Sequence, residues 1–156
     1  MADYYTHFSF VVPFCVDGNT EAQDEGHVRR IVDELKEIIE DANENDGNDI
    51  FGEDCMPYGL IVEEHGTEVW ITDDAGEASP DAAETAVRWL LDQPGSPDVV
   101  SFEWANTCSK PRVDAYGGGA MVIAKGHATE WLNTAKWAYD AHVAMQERID
   151  EEAING

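Results

Sequence analysis

The chain has 156 residues, 43 % of them hydrophobic, which suits one domain with a buried core and excludes a disordered chain. Its 33 Asp and Glu outnumber 9 Lys and Arg, giving a formal net charge of -24. Such a surface repels nucleic acid and anionic membranes, so direct binding to either is not expected; it attracts cations and proteins with basic clefts.

Residues 4–14 (YYTHFSFVVPF) alternate large apolar even positions with more polar odd ones, predicting a half-buried strand that ends at Pro13, where the N–H donor is missing. Asp17-Gly18-Asn19 reads as a turn. A helix is predicted from about Glu21 to Asn45, with Val28, Ile31, Val32, Leu35, Ile38, Ile39 and Ala42 on one stripe. Residues 45–57 form a polar loop. Tyr58–Glu64 and Thr67–Asp73 read as two strands joined by a tight turn at His65-Gly66.

Ser79 is placed to cap a second helix with Pro80 at its first position, and Pro94-Gly95 stops it. Ala83, Ala86, Val87, Leu90 and Leu91 form its inner face. Val99–Thr107 is predicted as a fourth strand and Gly119–Lys125 as a fifth, with an irregular segment 109–118 between them. A third helix is expected from about Thr129 to Ala153, its inner arc holding Trp131, Leu132, Ala135, Ala138, Tyr139, His142, Met145 and Ile149. The order β-α-β-β-α-β-β-α predicts an α+β fold: a two-layer sandwich with a mainly antiparallel sheet and helices on one face, in a single domain over 1–156.

No apolar run approaches the ~20 residues of a membrane helix. Met1-Ala2-Asp3 lacks the basic start of a signal peptide, so a cytoplasmic location is expected. Cys15, Cys55 and Cys108 are widely spaced, with no CxxC and no Cys/His pair at ligand spacing; neither a disulfide framework nor a metal or other cofactor is expected. Cys108 reads as a buried thiol and His142 as a hydrogen-bonded core histidine.

The acids are unevenly distributed: 22 of the 33 fall between residues 17 and 84, offset only by Arg29, Arg30 and Lys36. Asp33, Glu37, Glu40 and Glu44 recur at i, i+4, i+7 and i+11, opposite the apolar stripe of the first helix. Side chains three or four apart on a helix sit ~5–6 Å from one another, a spacing comparable to phosphates along a strand. With Asp46, Asp49, Glu53 and Asp54 they form a candidate partner-binding surface. A solvated face, or the acidic surface of a salt-adapted housekeeping protein, accounts for the same residues without a partner. Trp137, off the inner arc of the third helix, is a further candidate anchor for a protein interface.

A second candidate site is a ligand pocket. Lys110 and Arg112 are rare cations, followed by Gly117-Gly118-Gly119, which permit close backbone approach to a small anion. The segment is not a P-loop, because the glycines precede a strand and no Gly-Lys-Ser/Thr follows. Such a segment is most often simply a flexible strand connection. On the sheet face left open by the helices, His7 and Glu103 could form an acid–base pair if their strands are neighbours.

Two stretches, YYTHFSFVVPF and FEWANTCSKPRVDAYGGGAMVIAKG followed by a Trp-bearing helix, resemble a family of small uncharacterised proteins of phages and other mobile elements. The resemblance covers the first strand and Phe102 to about Trp137. It implies an accessory factor that meets host machinery and assigns no catalytic residue. The leading reading is therefore a non-enzymatic acidic factor, a nucleic-acid-mimicking inhibitor that occupies a basic, nucleic-acid-binding cleft of a host defence or regulatory protein; a homodimer is compatible with it. The alternative is a small-ligand-binding protein or enzyme built on Lys110, Arg112, the glycines and the open sheet face.

Overall fold

A computed structural model describes residues 3–14, 25–112 and 115–155. The expected turn at Asp17–Asn19, Cys15 and the start of the first helix lie outside them. In chain order the elements are β1 (Tyr4–His7), β2 (Ser9–Pro13), α1 (Glu25–Glu44), a 3₁₀ turn (Glu53–Cys55), β3 (Leu60–His65), β4 (Glu68–Asp73), α2 (Pro80–Leu91), β5 (Val99–Cys108), β6 (Gly117–Ala124), β7 (Glu130–Asn133) and α3 (Thr134–Asn155). The strands pair antiparallel in two sheets, ordered β1-β5-β6-β7 and β2-β4-β3, so the expected α+β sandwich with antiparallel pairing is found. No helix among the described residues is long and apolar enough to cross a membrane.

The single strand expected over 4–14 is two strands in different sheets. The chain changes sheet at Phe8, where β1 pairs with β5 and β2 pairs with β4. A side chain far along the sequence holds the change. Asp73, at the end of β4, accepts the Phe8 N–H at 2.8 Å through Oδ1. Its own N–H donates to the Phe8 carbonyl at 3.3 Å, and the Thr72 hydroxyl donates to the same carbonyl at 3.0 Å. Pro13 ends β2, an edge strand, where a missing donor costs least. Phe10 of β2 stacks on Phe102 of β5, ring centroids 4.4 Å apart, which ties the two sheets together across the core.

α1 and α2 behave as their periodicities predict. Val28, Ile31, Val32, Leu35, Ile39 and Ala42 of α1 are buried, and so are Ala83, Ala86, Val87, Leu90 and Leu91 of α2. Burying each large side chain contributes ~1.5–3 kcal/mol before entropy is counted. Ser79 caps α2, its Oγ accepting the Ala82 N–H at 3.1 Å, and Pro80 follows as the first helical residue. At the other end of α2, the Arg88 guanidinium donates to the Ala124 carbonyl at 2.6 Å, the His127 carbonyl at 2.7 Å and Thr129 Oγ1 at 2.9 Å. One side chain thereby fastens the β6–β7 connection.

The C-terminal region departs from expectation. Residues 130–133 are not helical; they form β7 on the edge of the sheet, with Trp131 opposite Met121. Asn133 then starts α3, its Oδ1 accepting the Lys136 N–H at 3.1 Å. The arc expected to face inward does not: α3 has no buried residue, and Tyr139, Met145 and Ile149 are 69 %, 50 % and 51 % exposed. His142 is exposed rather than a core histidine, and Cys108 is half-buried rather than enclosed. The core that α3 was expected to complete is already closed by α1, α2 and the inner sheet faces.

Candidate functional site

Two regions gather polar side chains. The first is the outer face of α1. At 100° per residue, Asp33, Glu37, Glu40 and Glu44 form one ridge, and all four are exposed. Glu34 and Asp41 widen it on one flank, and both are exposed as well. Two of the three α1 cations, Lys36 and Arg29, reach toward β3, while Arg30 is exposed on the flank of the ridge near Asp33 and Glu34. Lys36 Nζ meets Glu63 Oε2 at 2.7 Å and Arg29 Nε meets Glu64 Oε2 at 3.1 Å. Among the described residues, none of the six ridge acids is in an ion pair.

The loop after α1 folds back on the helix instead of extending into solvent. Phe51 is fully buried and anchors it. Asn48 locks it, with Oδ1 accepting the N–H groups of Ile50 and Phe51 at 3.0 and 2.8 Å and Nδ2 donating to the Ile38 carbonyl and Asp41 Oδ2 at 2.9 and 3.1 Å. This brings Asp49 beside the ridge, where it lines a shallow groove of about 420 Å³ with Glu34, Glu37 and Asp41. A second groove, between α1 and β3, is bordered by Glu40 and Glu44. Asp46, Glu53 and Asp54 are exposed on the same loop, the last two in the 3₁₀ turn that packs toward α2. No group of three or more His, Cys, Asp or Glu among the described residues is placed to hold a metal ion.

The second region is the cleft where β1 meets β4 and β5, with a volume of about 420 Å³. β1 and β5 are neighbours, so His7 and Glu103 share a face and line this cleft together. The partners of His7 are nevertheless Asp73 and Thr107, not Glu103. His7 Nδ1 lies 3.2 Å from Asp73 Oδ2, and His7 Nε2 lies 3.2 Å from Thr107 Oγ1. Tyr5 stacks on the imidazole at 6.1 Å. Gly76, at φ +78°, passes so close that an added Cβ would lie 2.6 Å from Tyr5 Cβ; only glycine fits there.

The Asp73 side chain is 9 % exposed. Burial pushes its carboxyl upward, but the N–H groups of Phe8 and Gly76, together with His7, outweigh burial and hold it below the usual value. Asp73 and Thr107 belong to the site although sequence patterning did not single them out. A signal for Asp73 exists: Asp followed three residues later by Gly is a side-chain-capped turn, and Asp73 Oδ2 accepts the Gly76 N–H at 2.9 Å.

The remaining candidates disperse. Gly117, Gly118 and Gly119 belong to β6 itself, not to an anion-binding loop. An added Cβ at Gly118 would strike the Trp104 carbonyl, and one at Gly119 the Leu132 carbonyl and the Trp104 ring. These glycines let three strands and the start of α3 approach closely. Thr134 Oγ1 completes that junction, accepting the Gly118 N–H at 3.0 Å and donating to its carbonyl at 3.1 Å. Glu103 and the glycines line a second, smaller cleft of about 320 Å³. Lys110 and Arg112 are exposed and line neither cleft. Trp137 is 62 % exposed on α3 and lines none of these grooves or clefts.

No family model, curated protein or solved structure matches this chain.

Proposed function

We propose that this chain is a non-enzymatic protein-binding factor that presents the α1 ridge and the adjoining Asp46–Asp54 loop to a cationic, nucleic-acid-binding surface of a host defence or regulatory protein. One observation carries the reading. Arg29 and Lys36 of α1 pair with Glu64 and Glu63 of β3, while among the described residues the six outward carboxylates are in no ion pair. Like charges at i, i+4 oppose helix formation, so the ridge is held against its own local preference. A row of unscreened carboxylates attracts a basic groove as a phosphate backbone does. The mobile-element resemblance supports a host protein as the target.

Immobilised chain incubated with host lysate tests it. The expected result is capture of a nucleic-acid-binding protein that duplex DNA displaces, that rising salt releases, and that the triple variant Glu37→Lys, Glu40→Lys, Glu44→Lys does not retain. Capture indifferent to DNA and to that variant, or no capture, removes the reading.

A second reading rests on the Asp73–His7–Thr107 chain. Asp73 holding the Nδ1 proton leaves Nε2 as acceptor for the Thr107 hydroxyl, an arrangement suited to a general base beside a small-ligand cleft. Ligand-dependent rises in melting temperature that vanish in His7→Ala would favour it.

A further inference from the structure

We propose that α3 is a self-association helix: two copies of the chain pair their α3 helices antiparallel through Ala135, Ala138, His142, Met145, Ile149 and Glu152. These positions alternate steps of three and four residues, the spacing of a coiled-coil seam. The helix spans 22 residues without one buried side chain. Helices in water draw most of their stability from packing of an apolar face, and among the described residues nothing buries this one. Tyr139 flanks the seam, 69 % exposed.

The seam itself selects the direction. In antiparallel register Ala138 faces Ile149 of the second copy, and His142 faces Met145, so small side chains meet large ones along the contact. Parallel pairing would set His142 on His142 and Glu152 on Glu152, and would leave paired alanines beside paired isoleucines. Charge selects the same direction. α3 has no acid in its first turn and no base in its last. Asp150, Glu151 and Glu152 therefore crowd the negative end of the helix dipole, which is unfavourable for an isolated helix. Antiparallel pairing lays these acids against the positive end of the second α3, beside its Lys136. Both ends of the pair gain the complement that one helix lacks.

Sedimentation equilibrium on the full chain provides the test. A dimer is expected, with a dissociation constant on the order of micromolar. Met145→Asp and Ile149→Asp, each burying an unpaired carboxylate, should weaken it by more than about 100-fold. Glu147→Gln, outside the seam, should leave it unchanged. Direction is read by oxidation: Ala138→Cys mixed with Ile149→Cys should cross-link as a heterodimer, with neither variant cross-linking alone and the unaltered chain as blank. This readout stands even where an aspartate variant folds poorly. A monomer at every concentration, a dimer indifferent to the seam variants, or cross-links formed by either cysteine variant alone would overturn the proposal.

Discussion

Phe8 and Asp73 are bound to each other in both directions: the Phe8 N–H donates to Asp73 Oδ1 at 2.8 Å, and the Asp73 N–H donates to the Phe8 carbonyl at 3.3 Å. Phe8 is where the chain leaves one sheet for the other, so a single carboxylate fixes the joint between them. Replacing Asp73 by Ala strands the Phe8 and Gly76 donors and should cost about 2–4 kcal/mol of stability. Asp73→Asn keeps one oxygen acceptor and should cost less. Urea denaturation of the three chains gives the ranking; equal midpoints would show that the joint holds without the carboxylate.

The same contacts set an acid dependence. Asp73 is held below its ordinary value of 3.8, so the folded chain binds that proton less readily than the unfolded one. Its contribution is complete above the unfolded value and is lost as pH falls through the lower folded value. Many other carboxylates titrate in this range, so the difference between the native chain and Asp73→Asn is the informative curve. That difference should be largest near neutral pH and shrink below about pH 4. A difference constant from pH 7 to pH 3 would mean that the ionised form of Asp73 is not what the fold uses.

The ridge predicts a separation of stability from binding. Glu37 has Asp33, Glu34, Glu40 and Asp41 three or four residues away, all acidic. Glu37→Lys turns those repulsions into attractions and should stabilise the fold by roughly 0.3–1 kcal/mol at low salt. Thermal melts at low and high salt should show the gain shrinking as charges are screened. A destabilised Glu37→Lys would mean that Glu37 has a structural role within the chain.

How far the sequence reaches depends on whether the cause of an element lies nearby. α1, α2 and the β3–β4 hairpin are written locally, in stripes, a Ser-Pro cap and a glycine turn, although the turn is Gly66-Thr67, one residue later than the expected His65-Gly66. The break at Phe8 is not, because no Gly or Pro marks it and its cause, Asp73, is 65 residues away. β7 is four residues of EWLN that become a strand only because β6 offers an edge. The arc on α3 was visible, but periodicity reports only that a face is apolar, not whether its cover is the chain's own core. The ridge on α1 was likewise legible as a helix face, whereas the groove beside it required Asn48 and Phe51 to fold the loop back.

Arg88 offers a test of how the far edge of the first sheet is held. Its guanidinium spans the Ala124 and His127 carbonyls and Thr129 Oγ1, and Thr129 in turn donates to Glu84 Oε1 at 3.0 Å. Three acceptors in a fixed arrangement suit a planar fork, not the single ammonium of lysine. Arg88→Ala should cost about 2–4 kcal/mol, and Arg88→Lys should recover less than half of it. Because β7 pairs only with β6 among the described residues, loosening this turn should show first as faster amide exchange at Glu130–Asn133, with the α1 core unchanged. Exchange rates at β7 that match the native chain would mean that the strand pairing, rather than the arginine, sets the position of β7 and of the helix that follows it.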